Sequence, residues 1–383
     1  MPRSTLFLLT SRNKSIFAGS SAAKFAARCL CLSLLFVLAA FAQEPAVTYT
    51  EFNAPGSGTK AEQGTLAVSI NTAGAVSGYY YDSTDAAHGF VRATSGTITT
   101  FDVPGAGSGS NQGTFGGQIN TAGTIAGNFT DGSGVHHGFI RTAAGVITPF
   151  SVSAAGTASG QGTQCCGLNT GGTAAGYYID KNNVRHGFVR TAAGVIRTYN
   201  VTGAGTAAKQ GTEGVAINNA GTTTGIYIDS NGVYHGYVRT AAGVVTTFDV
   251  TGAGTASGQG TAPISINTAG TVVGSYFDST GISHGFVRSV AGVITTFNVS
   301  GAAITSAVGI NTAGTITGFY IGTSGSSGGF ERTPAGVITT FDAPGSGTSV
   351  GNGTVPFGIN TAGTVVGYYL TSGFVYEGFF RTR

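Results

Sequence analysis

The sequence predicts an all-β fold: a seven-bladed β-propeller of four-stranded blades, its ring closed by an N-terminal strand that completes the last blade. Three observations predict it. A repeat of about 49 residues occurs seven times, each copy holds four short strand-like runs, and the two chain ends complement each other.

The repeat is marked twice. Ile/Leu-Asn recurs at Ile70-Asn71, Ile119-Asn120, Leu168-Asn169, Ile217-Asn218, Ile266-Asn267, Ile310-Asn311 and Ile359-Asn360. Gly-Phe/Tyr-x-Arg recurs with the same spacing at Phe90, Phe139, Phe188, Tyr237, Phe286, Phe330 and Phe379. In the fifth copy, strand A is expected near 262–267, strand B over 271–277, strand C over 284–288 and strand D over 293–299. Each run is rich in Val, Ile, Thr, Tyr or Phe and is bounded by Gly and Asn turn residues. Nothing after the N-terminal segment keeps a helical period.

The ends argue for a closed ring. The chain stops after strand C of the seventh copy, which therefore lacks strand D. The stretch Val47-Thr-Tyr-Thr-Glu-Phe52-Asn-Ala-Pro55 matches Ile98-Thr-Thr-Phe101-Asp-Val-Pro104, a strand D. Pairing it with the last copy covers edges that an open array would expose.

The motif Asp-x-x-x-x-x-His-Gly-Phe-Val-Arg-Thr, together with Ile-Asn-x-x-Gly-x-x-x-Gly, resembles the HAF-type extracellular repeat family of bacterial secreted proteins over residues ~47–383. His284-Gly285-Phe286 departs from that family, which has His-Ala-Phe. The resemblance implies an extracellular, repetitive β protein and no particular activity.

Residues 1–42 read as a secretory signal peptide. Arg3, Arg12, Lys14, Lys24 and Arg28 precede an apolar run from Cys29 to Ala40, and Ala40-Phe41-Ala42 is a small-residue cleavage site. Residues 43–383 then form a single propeller domain, secreted or periplasmic, with no membrane span after cleavage. Cleavage removes five basic residues and no acid, leaving 13 basic residues against the 15 acidic ones. That near balance predicts no nucleic-acid partner. Only Cys165 and Cys166 remain, so no disulfide framework holds the fold; a vicinal disulfide and two apolar thiols both fit.

Repetition is itself evidence about chemistry. A residue present in nearly every copy belongs to the scaffold, whereas an active site should appear as a departure from the pattern. Asp82, Asp131, Asp180, Asp229 and Asp278 each precede a His by six residues, at His88, His137, His186, His235 and His284. The last two copies lose both partners, so Asp and His are expected to meet across the B–C hairpin as a structural pair. The alternative, a ring of metal-binding His, requires them to face a common channel. The Arg at one register of strand C (Arg92 to Arg381) reads as a ladder bonding to nearby carbonyls rather than an anion ring. Loops such as Asp131-Gly-Ser-Gly134 lack the further acids of a calcium site and read as turns. The Gly-rich D–A loops lack the spacing and the following helix of a phosphate site.

No catalytic set, cofactor or metal site is predicted. The expected function is a non-enzymatic binding or surface-interaction module, monomeric, taking a polysaccharide or cell-surface component. The alternatives are a secreted propeller enzyme (lyase, lactonase or glycan-cleaving) and a matrix protein without a ligand. The one local signal is basic: Lys181, Arg185 and Lys209 should share the face bearing the B–C and D–A loops and bind an acidic glycan, while Arg197 lies within a strand.

Overall fold

The computed structural model describes residues 47–383; the proposed signal peptide lies outside the described residues. Among the described residues there are 28 strands and no helix. β1 (Thr48–Phe52) comes first and alone. The first repeat supplies β2 to β5 (Gly64–Ile70, Val76–Tyr81, Ala87–Arg92, Ile98–Phe101) and the second β6 to β9 (Gly113–Ile119, Ile125–Thr130, His136–Arg141, Ile147–Phe150). The third supplies β10 to β13 (Gly162–Leu168, Ala174–Ile179, Arg185–Arg190, Ile196–Tyr199) and the fourth β14 to β17 (Gly211–Ile217, Thr223–Ile228, Tyr234–Arg239, Val245–Phe248). The fifth supplies β18 to β21 (Gly260–Ile266, Val272–Phe277, Ser283–Arg288, Ile294–Phe297) and the sixth β22 to β25 (Ala302–Ile310, Ile316–Gly322, Ser327–Arg332, Ile338–Phe341). The seventh supplies only β26 to β28 (Gly353–Ile359, Val365–Leu370, Tyr376–Thr382).

Within a repeat each strand pairs antiparallel with the next, as β2–β3, β3–β4 and β4–β5 do. β1 pairs antiparallel with β28, placing Phe52 opposite Gly378. This is the register of Phe101 opposite Gly89 within the first repeat. The Gly is needed there: a Cβ on Gly89 would lie 2.6 Å from the Phe101 ring. The expected end-to-end complement is therefore a strand pairing, and the strands form a nearly closed, barrel-like sheet.

Neighbouring repeats join at the start of each inner strand. Gly64 bridges Tyr376 in parallel, as Gly113 does Ala87 and Gly211 does Arg185. Gly64 adopts φ 114°, and a Cβ there would sit 2.0 Å from the Tyr376 carbonyl oxygen, so the bridge requires glycine. The fifth-to-sixth junction is five residues shorter, and Ser283 Oγ donates to Thr305 O there instead, at 3.3 Å.

The core lies between repeats. Phe90, Phe139, Phe188, Tyr237, Phe286, Phe330 and Phe379 are all fully buried. Each meets the outer-strand ring of the preceding repeat edge-on: Phe101–Phe139 at 5.9 Å, Phe150–Phe188 at 6.0 Å and, through β1, Phe52–Phe90 at 6.0 Å. A second device recurs in every repeat. A Thr near the start of the inner strand (the second residue, except Thr305 in the longer β22) has its hydroxyl accept the amide that follows the preceding outer strand, as Thr65 does from Ala54 at 2.9 Å and Thr163 from Val152 at 2.9 Å.

Candidate functional site

The seven copies are an alignment within one chain, and they diverge most on one face. At the face of the A–B turns the copies agree. Each repeat's Asn Oδ1 accepts the backbone amide four residues on, as from Ala75 to Asn71 at 2.9 Å. Each Asn Nδ2 donates to the carbonyl of the next repeat's Asn. The belt runs Asn71 to Asn120 (3.1 Å), Asn120 to Asn169 (3.1 Å), Asn169 to Asn218 (3.2 Å), Asn218 to Asn267 (3.2 Å), Asn267 to Asn311 (3.2 Å) and Asn311 to Asn360 (3.1 Å). Asn360 returns to Asn71 at 3.4 Å, so the belt closes. Sequence reasoning assigned these Asn only to turns. Their invariance also reflects this contact, whose partner lies a full repeat away.

The opposite face carries the D–A loops and B–C turns, joined by backbone bonds such as Asn111 N to Asp85 O at 3.0 Å. The copies disagree there. At the residue after the inner-strand Thr they carry Leu66, Phe115, Gln164, Glu213, Ala262, Ser306 and Val355. At the fourth of the second strand they carry Tyr79, Asn128, Tyr177, Ile226, Ser275, Phe319 and Tyr368. At the first of the third strand they carry Ala87, His136, Arg185, Tyr234, Ser283, Ser327 and Tyr376. Strand pairing puts these positions side by side, as Gln164 opposite Tyr177 shows.

Two features arise from these positions. First, a cavity of about 430 Å³ opens off the axis between the seventh, first, second and third repeats. Its walls include Leu66, Val68, Tyr79, Phe115, Phe357 and Tyr368, with His136, Gln164, Asn128 and Cys166. Burial lowers the His136 pKa, His137 lowers it further, and Thr130 Oγ1 lies 3.1 Å from its Nδ1. Burial also holds the phenol of Tyr368 up at about 12 and raises that of Tyr79, so both stay hydroxyls. Second, Arg185 Nη1 lies 2.7 Å from Glu213 Oε1 across the third-to-fourth junction. Burial raises the Glu213 pKa against the pull of Arg185, so the ion pair is partly desolvated.

The basic candidates are thus placed. Lys181 and Lys209 are exposed on the loop face. Their loops touch, since the Lys209 amide donates to Asn183 O at 2.7 Å. Arg185, read from sequence as a loop residue, opens β12 instead. Besides Glu213, its guanidinium bonds Lys209 O at 3.2 Å, which fixes that loop. Arg197 lies within β13. Lys209 holds φ 69° and Asn183 φ 63°, at turn positions where the second and fourth repeats use Gly.

The Asp–His pairs meet as expected: His Nε2 to Asp Oδ2 is 3.4 Å at His88, 3.2 Å at His137, 3.4 Å at His186, 3.6 Å at His235 and 3.1 Å at His284. Each ring also stacks on the aromatic residue opposite, as His186 does on Tyr178 at 4.8 Å. Each Nδ1 meets a side chain 14 residues on, as His88 meets Asp102 at 2.9 Å, a contact the sequence reading missed. In the seventh repeat Glu377 replaces His and accepts from Tyr369 Oη at 2.5 Å. Among the described residues no three His, Cys, Asp or Glu side chains converge on a metal position. The Asp of Asp131-Gly-Ser-Gly134 is spent on turn amides, from Ser133 at 2.8 Å and Val135 at 2.9 Å.

Five of the seven Arg residues bond a carbonyl, as Arg141 does Thr142 O at 3.3 Å; Arg381 bonds Glu331 and Tyr49 instead, and all seven lie over the preceding repeat's outer ring. Arg141 sits 4.8 Å from the Phe101 centroid, Arg239 4.5 Å from Tyr199 and Arg92 5.2 Å from Phe52. Cys165 and Cys166 are free thiols of β10: Cys165 packs in the core, and both border the cavity.

No protein-family model matches the sequence, and no curated protein matches it. Solved structures do. A streptogramin B lyase superposes with a TM-score of 0.54 at 15% identity, over 87% of this chain and 97% of that one. The BP39L lectin from Burkholderia pseudomallei superposes with a TM-score of 0.50 at 10% identity, over 80% of this chain and 95% of that one. The chain folds as a β-propeller. At such identity the likeness bears on the fold alone. In this propeller the A–B turns keep their Asn in every repeat, and the loop face carries most of the residues that distinguish one repeat from another.

Proposed function

We propose that the chain is a secreted or periplasmic propeller of seven four-stranded blades, exported by residues 1–42, that acts as a binding module through its loop face. β1 completes the seventh blade. The ligand is a glycan with acidic groups, held at the rim formed by Lys181 and Lys209, with Arg185 ordering the Lys209 loop. The observation that carries the reading is the concentration of repeat divergence on that face, where three neighbouring columns change in nearly every copy. A scaffold position is restrained equally in every copy, whereas a recognition position must differ between copies to make an asymmetric surface. The lectin among the superposed structures supports the reading by showing that this architecture can carry a sugar-binding protein.

The electrostatics narrow the site. Glu213 neutralises Arg185, so the unpaired positive charge lies on Lys181 and Lys209. Exposed pairs of this kind act by raising the local anion concentration, and salt screens them. The test is retention on immobilised polyuronate at low and moderate salt, for the wild type and for Lys181→Gln/Lys209→Gln. The proposal expects retention at low salt that the double variant loses. Equal retention of both proteins at both salts would contradict it.

A further inference from the structure

We propose that the off-axis cavity on the loop face is a second site, one that takes a compact, uncharged aromatic molecule. It does not rest on the glycan reading: its residues come from the seventh, first, second and third repeats and exclude Lys181 and Lys209.

The cavity exists because the second repeat breaks the inner-strand pattern. β6 carries Gly116-Gly117, and its pairing register shifts between Phe115 and Gln118. Where other repeats project Val68, Cys166 or Phe357 inward, Gly117 projects nothing. The resulting space of about 430 Å³ is within the ~300–1,000 Å³ usual for small-molecule sites.

The walls define the ligand. Tyr79 meets Phe115 edge-on at 5.2 Å, and Phe357 stacks on Tyr368 at 5.7 Å. These two aromatic pairs favour a flat ring that can pack against faces and edges. The lining is mostly carbon; its polar side chains are Asn111, Gln118, Asn128, Thr130, His136 and Gln164, with the phenols of Tyr79 and Tyr368 from the first and seventh repeats. Asn128 Oδ1 is taken by the Cys165 amide, which leaves its amide NH₂. Thr130 occupies His136 Nδ1, which leaves Nε2. The carboxamide of Gln164 also borders the space. A few hydrogen bonds can therefore orient a ligand against walls that are mostly carbon. A sugar, with a hydroxyl on most carbons, would leave several hydroxyls facing carbon walls. No Asp, Glu, Lys or Arg lines the cavity, so a charged ligand would be desolvated without a partner.

Coumarin is a suitable probe, with coumarin-3-carboxylate as its charged counterpart and methyl β-glucoside as the sugar control. Two variants fill the space with a ring the fold already accepts at that register in Phe115: Gln164→Phe and Leu66→Phe. Titration calorimetry on the whole chain should show saturable, one-site binding of coumarin. The carboxylate and the two variants should bind about tenfold or more weakly, with unfolding temperatures near wild type. Lys181→Gln/Lys209→Gln should bind coumarin as the wild type does, so this site and the glycan rim stand or fall separately. If one Phe variant fails to fold, the other decides. Three results would overturn the proposal: no saturable coumarin binding, equal binding by a folded Phe variant, or displacement of coumarin by the glucoside.

Discussion

Replacing Asn218 separates two roles that the belt combines. Its Oδ1 accepts the amides of Ala220 at 3.1 Å and Thr222 at 3.0 Å, and its Nδ2 donates to Asn267 O at 3.2 Å. The side chain is 5% exposed, so the groups it leaves behind are largely cut off from water. At about 0.5–1.5 kcal/mol per bond, Asn218→Ala should cost about 2–4 kcal/mol. Asn218→Asp keeps both turn acceptors but sets a carboxylate oxygen against the Asn267 carbonyl. It should lose the belt bond and add repulsion, costing at least about 1–2 kcal/mol at neutral pH. Urea unfolding followed by tyrosine fluorescence measures both. Should Asn218→Asp be as stable as the wild type, the belt would contribute nothing, and the Asn would be a turn residue alone.

Other consequences are as direct. Phe52→Ala should cost about 2–3 kcal/mol, less than the ~3–5 for a fully buried Phe because Phe52 is half-buried. It should cost as much as Phe150→Ala, its counterpart inside a repeat; a neutral Phe52→Ala would mean that β1 does not close the ring. Glu331 is 2% exposed and binds Arg381 Nη1 at 2.6 Å, with Arg383 on its other oxygen. Glu331→Ala should cost about 3–5 kcal/mol by leaving Arg381 buried and unpaired, as read by the shift in urea midpoint. Burial works against ionisation of Asp82, Asp131, Asp180 and Asp229, but amide hydrogen bonds and the facing His outweigh it and hold these carboxyls below their ordinary pKa. Their contribution to stability is therefore complete above the unfolded-state value of about 4 and is lost as pH falls through the depressed folded values. Converting all four to Asn should flatten the stability profile below about pH 4; an unchanged slope there would show that the pairs do not stabilise the fold.

The repeat, the four strands per copy and the role of 47–53 were legible because each leaves a local, periodic mark. The Asp–His pairing was legible because both partners vanish together from the last two copies. What was not legible spans two repeats. Arg141 on Phe101 and Asn71 on Asn120 are both constant, so each looked complete within its own copy. Glu213 leaves no local mark in the sequence, because its partner Arg185 belongs to another strand of another repeat. His136 was passed over because it breaks the pattern beside a His that keeps it. The signal that finds both was present: the columns of the internal alignment where the copies disagree. Those columns become neighbours only once the strand register is known, and it is the register that turns them into a face.

The claim at the centre of this account is that the loop face, and not the Asn face, is the binding surface. Hydrogen exchange with and without saturating polyuronate tests it most directly, since each face has its own amides. The account predicts slowed exchange in the 180–185 turn and the 204–210 loop, with the Asn turns at 71–75 and 218–222 unchanged. Protection confined to the Asn turns, with the 180–185 and 204–210 segments exchanging as in the free protein, would contradict it.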